Sequence, residues 1–486
     1  MMAAQRSDWL TSIIKNGRWY FVSSVASKSL ALVSLKIVTH GLSPAEFGSL
    51  NTLIALTQAL PIFLSIYLDT AIGRIYHDYA DSKEMLSRLF STIYWFVVVW
   101  GTGVVVVFSI YVAHFALFDD NIDVSLLWIA SIPMLLLQLS QMGIVYMRQS
   151  FQAKQVTMIE AGGAFAGVIA TYILVTILKE GVLGRLIAIG LASAFGFLLV
   201  TIHFWRAGLL RFRFSPAMLR ACLIYSIPLT PTLAAGWIAG NSDRLIISKY
   251  TDLESVGLYS LAASIASLLY IVQDAVTQVT SVTSQSGMIR NREQTLKMVS
   301  ELSYLLWVVM LFVNFGVMAY SELLVRIFSG DRYMGAAALI GVCGFTYVIS
   351  PQVRVLSDLI AYNKRTWVLS SGAIIMALCS LVINFYFVPQ FGYEAAPFAL
   401  VGATFAQAAW LYFWVYRMEK LHLPWLKAIG ALVIFAIFFE INRQIPWVGL
   451  TSMAAKAIPT LAYGVITFYL ASASLRILRG FTDRAA

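Results

Sequence analysis

About fourteen apolar stretches, each roughly 20 residues long, fill this chain of 486 residues, and that is the length a helix needs to cross the hydrocarbon core of a bilayer. No other feature constrains the fold so tightly. The stretches fall at approximately 19–39, 47–71, 89–111, 124–145, 156–177, 183–204, 222–245, 255–280, 299–319, 335–357, 366–388, 395–416, 425–442 and 450–473. Segments so long and so poor in charge are not the buried helices of a soluble domain. The expected fold is an all-α polytopic membrane protein. Composition agrees: 59% of residues are hydrophobic and 12% charged, with a mean hydropathy of +0.78.

A net charge of +10 raises the question of nucleic acid, but the placement of the charge argues against it. The basic residues sit in short loops between spans, and they alternate. One set of loops, with both termini, carries about 24 of them; the other carries about seven. The positive-inside rule assigns the rich set to the cytoplasm. A bacterial inner-membrane protein with both ends inside is therefore expected. No loop exceeds roughly 20 residues, which leaves no room for a soluble catalytic domain, and no enzyme activity is expected. There is no GxxxxGK[ST] loop to cradle a nucleotide. Cys222, Cys343 and Cys379 lie inside apolar spans without ligand spacing, and the five histidines are scattered, so neither cofactor nor metal is expected. The first stretch is long, holds Lys28 and Lys36 and lacks a small-residue cleavage site; it does not read as a removable signal peptide.

Two turns resemble one another. Gly41-Leu-Ser-Pro-Ala-Glu-Phe-Gly48 joins spans one and two, and Tyr250-Thr-Asp-Leu-Glu-Ser-Val-Gly257 joins spans seven and eight. Six crossings separate them, an even number, so the two copies share an orientation. That is the pattern of parallel repeats related by an axis along the membrane normal. Three regions are expected: a six-helix lobe over 1–210, a second over 211–422, and two further helices with a short tail over 423–486. A match this short also arises by chance, because many helix turns carry glycine.

Three groups of residues resemble the polysaccharide flippase branch of the multidrug/oligosaccharidyl-lipid/polysaccharide exporter superfamily. The first is Leu42-Ser-Pro-Ala-Glu-Phe-Gly48 followed by Asp69-Thr-Ala-Ile-Gly-Arg74. The second is Tyr225-Ser-Ile-Pro228, then Asn241-Ser-Asp-Arg-Leu-Ile-Ile247, then Val256-Gly-Leu-Tyr-Ser260. The third is Val388-Pro-Gln-Phe-Gly392, with Glu394 where the family commonly has glycine. The resemblance covers roughly residues 20 to 420. It implies two six-helix bundles around a central cavity. It also implies export of undecaprenyl-pyrophosphate-linked oligosaccharide to the outer leaflet for O-antigen, capsule or exopolysaccharide synthesis. Membrane lipids, and the polymerase and chain-length machinery of such a pathway, would be its partners; nucleic acid would not.

Charges inside spans are the candidate functional residues. Lys28 lies near the middle of span one, among Tyr20, Ser24, Ser27, Ala31 and Thr39 on one helical face. An intramembrane cation faces protein or water, and a lipid pyrophosphate needs compensating charge. The other reading is a lysine paired with a carboxylate. Lys36 is two turns on, within reach of the interface. Arg74 and Arg354, the latter after Pro351, mark inner helix ends and equally satisfy the positive-inside rule. Asp243 and Arg244 form an acid–base neighbour pair near the outer end of span seven, suited to a gate or to substrate contact. Asp69, Glu160 and Asp274 are carboxylates near inner helix ends, open to ion coupling or to plain capping. Pro228 and Pro231 put a bend, or a helix start, in span seven. Two other functions compete. A multidrug/cation antiporter of the same superfamily would want an acidic cavity, and a membrane polysaccharide polymerase would want a large outer loop.

Overall fold

The computed structural model describes residues 2–115, 125–273, 291–445 and 450–483. Among them every regular element is helical, and thirteen continuous segments are long and apolar enough to cross a membrane. One of these, Thr366–Glu419, is 54 residues long and is two crossings joined by a single turn. The fourteen spans expected from sequence are thus accounted for.

The chain forms two compact units, one of Met1–Trp237 with Asp252–Gly257, the other of Ile238–Thr251 with Leu258–Ala486. In the first, α1 (Met2–Gly41) packs along α7 (Ala153–Thr171), and α6 (Ser125–Gln149) along α8 (Gly181–Arg206). Its core closes around α5 (Lys83–Phe115), where Phe90 stacks on Phe204 at 4.1 Å and Tyr146 stands edge-on to both. Burying aromatic rings this way favours offset and edge geometry.

Span two differs from its sequence reading as one helix. It is three pieces: α2 (Pro44–Thr57), α3 (Leu60–Ser65) and α4 (Leu68–Ile75). Pro61 has no N–H to continue α2, so the helix restarts around it. The second break is sharper. Ile66 and Tyr67 both adopt left-handed backbone, at φ 47° and 61°, which costs a β-branched residue about 1–2 kcal/mol. Span seven also breaks: α9 (Pro216–Ser226) and α10 (Thr230–Tyr250) flank a 3-10 turn at Ile227–Leu229 that holds Pro228, with Pro231 in the first turn of α10.

The two similar turns of the sequence meet. Ser43 caps α2, its Oγ accepting from the Glu46 N–H while Glu46 accepts from the Ser43 N–H at 2.8 Å. At the aligned position before α11 (Leu253–Ala266), Asp252 Oδ1 accepts from the Ser255 N–H at 2.7 Å. A side chain on Gly48 would run into the Leu253 carbonyl, and one on Gly257 into the Pro44 carbonyl. In the alignment, Pro44 pairs with Leu253 and Gly48 with Gly257. The contact is therefore reciprocal, as a local two-fold requires.

In the second unit, α12 (Arg292–Ala319) packs on α14 (Ala337–Tyr362), which packs on α16 (Ala396–Glu419), itself paired with α15 (Thr366–Phe391). The short α13 (Ser321–Phe328) links α12 to the next crossing. The last helices, α17 (Trp425–Arg443) and α18 (Leu450–Asp483), both dock on α12. Phe315, Phe435 and Tyr463 interlock there, Phe315 and Tyr463 with ring centroids 4.8 Å apart.

Candidate functional site: charges within the spans

In the first unit, Lys28 is half-buried in the apolar segment Val22–Gly41, about 20 Å from the end of α1 by helical rise. One side of that helix is held to its neighbours. Ser23 Oγ donates to Glu160 Oε2 at 2.8 Å, and Arg148 donates to Glu160 Oε1 at 2.7 Å. Thr157 Oγ1 also donates to the Trp19 carbonyl at 2.9 Å. Glu160, a candidate for ion coupling, thus joins α1, α6 and α7. Buried Ser27 and Ser34 hydroxyls follow on α1 without a hydrogen-bond partner among the described residues. Lys36 is exposed, and its carbonyl accepts from Thr39 Oγ1 at 3.3 Å.

Asp69 sits in the first turn of α4, directly after the left-handed break, and its Oδ1 is buried with no hydrogen-bond partner among the described residues. Arg74, one turn on, is exposed and donates to Asp78 at 2.9 Å; that bond holds its guanidinium above the ordinary arginine pKa.

In the second unit, Asp243 is buried and the Arg244 side chain is 18% exposed. Asp243 Oδ1 accepts from the Arg244 N–H at 2.8 Å and lies 3.4 Å from Nη1, while Oδ2 accepts from the fully buried Tyr259 hydroxyl. The Arg244 guanidinium also lies 5.7 Å from the Tyr259 ring centroid. A buried carboxylate held by a guanidinium and a phenol is satisfied on the spot. Arg354 is exposed and reaches Asp358 at 3.7 Å. The helix runs through buried Pro351 without stopping. Asp274 and the Tyr20 side chain lie outside the described residues.

Three charged residues carry more of the structure than sequence reading assigned them. Arg185, one of the seven cations of the basic-poor loop set, donates from inside α8 to Thr171 Oγ1 at 2.6 Å. Beside it α7 loosens into a π turn over Tyr172–Ile177, a rare feature. Glu419, its side chain fully buried, accepts from Arg292 and from Asn363, each at 2.6 Å. Lys456 is 8% exposed and donates to the Ala319 carbonyl at 3.4 Å, at the C-terminal end of α12 where a cation complements the helix dipole. A lone lysine seven residues into an apolar run was the signal available for it.

The model of the polysaccharide biosynthesis protein family matches residues 37–338, which takes in both reciprocal turns and the Asp243–Arg244 pair. The chain belongs to that family. Its fold is shared with solved transporters. The lipid II flippase MurJ in an inward closed conformation superposes with a TM-score of 0.72 at 14% identity, covering 94% of this chain and 99% of that one. An inward-facing multidrug resistance MATE transporter gives 0.66 at 14% identity, over 82% and 99%. A transporter from Pyrococcus furiosus, whose binding pocket is described as reversed in polarity, gives 0.58 at 14% identity, over 84% and 95%. No curated protein matches in sequence. Family and fold together describe a polysaccharide biosynthesis protein with many membrane-spanning helices, folded as these transporters are.

Proposed function

We propose that this protein flips polyprenyl-pyrophosphate-linked oligosaccharide from the inner to the outer leaflet of the bacterial cytoplasmic membrane, for assembly of a surface polysaccharide. Lys28 carries the reading: a cation set in a 20-residue apolar span, in a family described by polysaccharide biosynthesis. Phosphate oxygens concentrate negative charge and need compensation away from bulk water. In this reading Lys28 meets the pyrophosphate, Lys36 offers a second station about 12 Å further along α1, and the prenyl tail stays in lipid. Arg74, Arg244 and Arg354 are each engaged with an aspartate and would offer charge to the substrate only by releasing that partner. The broken spans at Ile66–Tyr67 and Pro228 are where helices bend as access alternates. Net outward movement needs a driving force, since a site alone cannot shift an equilibrium; Asp69, Glu160, Asp243 and Asp274 are the carboxylates through which an ion gradient would act.

The test is Lys28→Ala and Lys28→Arg in a strain whose surface polysaccharide depends on this gene. Lys28→Ala removes surface polysaccharide while protein abundance and membrane insertion stay normal, and Lys28→Arg restores part of it. Unchanged export in Lys28→Ala takes Lys28 out of the site. The multidrug reading draws on the shared fold with a MATE transporter. Ethidium efflux by the reconstituted protein, with polysaccharide export unaffected by its loss, would establish that reading instead.

A further inference from the structure

A cavity of about 490 Å³ lies wholly within the second unit, walled by α12, α14, α16, α17 and the Leu423–Pro424 turn. The volume is that of a small-molecule pocket, yet its wall is almost entirely hydrocarbon. Four of the polar side chains around it are committed to the protein. Trp307 Nε1 donates to the Ala428 carbonyl at 3.1 Å, and Gln352 Nε2 to the Ser303 carbonyl at 2.9 Å. Trp425 Nε1 donates to the Tyr412 hydroxyl at 3.4 Å, which donates in turn to the Leu421 carbonyl at 3.3 Å. A sugar or a pyrophosphate would face a wall that is almost entirely hydrocarbon. A hydrocarbon chain does find room, and it reaches the cavity past Phe405, Trp425 and Ile429, all exposed.

One charged pair stands beside the wall. The Leu423–Pro424 turn between α16 and α17 lines the cavity, and Lys427 follows it by three residues, next to Glu301. Lys427 Nζ is 3.5 Å from Glu301 Oε1, which leaves its other two protons, and the ammonium lies 5.8 Å from the ring of the wall residue Tyr304. No side chain caps the N-terminus of α17, where Pro424 stands, so the positive end of that 19-residue helix adds to the potential. From Trp425 to Leu432 the cavity runs about 10 Å along α17. That holds part of one acyl chain. A membrane-spanning polyprenyl chain would overrun it.

We infer that this cavity binds an anionic glycerophospholipid of the leaflet on the basic side, with one acyl chain in the cavity and the phosphate at Lys427. The full-length protein in nanodiscs of equal phosphatidylglycerol and phosphatidylcholine is delipidated stepwise, and the retained lipids are counted by native mass spectrometry. Phosphatidylglycerol is retained over phosphatidylcholine by about fivefold or more, the factor one basic residue supplies at an anionic surface. Lys427→Glu, an exposed position, abolishes the preference. Ala409→Trp, which fills the cavity, abolishes retention of both lipids; Ala408→Leu repeats that test should the tryptophan variant unfold. Equal retention of the two lipids by the unaltered protein, or an undiminished preference in Lys427→Glu, overturns the inference. So does displacement of phosphatidylglycerol by equimolar undecaprenyl phosphate, which would make the cavity a tail site for the transported lipid.

Discussion

Glycine 48 and glycine 257 show how much one missing methyl can carry. Each faces a backbone carbonyl, which cannot move aside as a side-chain tip can. Gly48→Ala and Gly257→Ala are each expected to lower stability by about 1–3 kcal/mol or more through overpacking. Gly103→Ala, with nothing within 4 Å of its added carbon, is the control and is expected to be neutral or to stabilise its helix by up to about 1 kcal/mol. Thermal unfolding of the three variants in one detergent separates these outcomes. Glu419 gives a second residue-level case. Removing it takes the acceptor from Arg292, which solvent still reaches, and from Asn363, and Glu419→Ala is expected to cost about 1–3 kcal/mol in lost hydrogen bonds. The double variant with Arg292→Ala is expected to be less damaged than the sum of the two singles. An additive result would mean that the pair contributes nothing by itself.

At the scale of elements, the helices end where residue chemistry allows. Lys179, Lys364 and Lys420 all follow helices in left-handed backbone, at φ 58°, 57° and 55°. Glycine would hold that conformation at lower cost, while the lysine charge favours the negative helix end. Lys364 is exposed, so Lys364→Gly is expected to raise the unfolding free energy by a few tenths to about 1 kcal/mol; a loss would mean that the charge outweighs the backbone. The sequence made the crossings legible because hydropathy reads burial in lipid, and lipid burial is nearly independent of partners. It did not make the interruption at Ile66–Tyr67 legible. Left-handed backbone at an isoleucine comes from tertiary packing and leaves no compositional mark. The Pro61 restart did have such a mark, a proline well inside an apolar run.

At the scale of the whole molecule, alternating loop charge sets an expected topology that can be checked directly. Lys83→Cys, between spans two and three, and Lys179→Cys, between spans five and six, lie on opposite expected sides. A membrane-impermeant maleimide added to intact cells is expected to label Lys179→Cys, and to label Lys83→Cys only after permeabilisation. Cys222 and Cys343 are buried and Cys379 partly so, and Cys379→Ser in the same background removes the most accessible of the three. Of the candidate site, the sequence showed which charges lie inside spans, since a lysine in an apolar run is visible without coordinates. It could not show which of them are already neutralised. Asp243 finds Tyr259 sixteen residues away, and Glu160 finds Ser23 across more than a hundred; such pairings belong to packing. The reciprocal turns carry one more consequence. Because each copy presents its glycine to the other copy's carbonyl, a change at either position cannot be rescued by a change at its counterpart, for there is no side chain there to shorten. Two positions 209 residues apart are therefore bound to stay identical for steric reasons alone, whatever else changes in the chain.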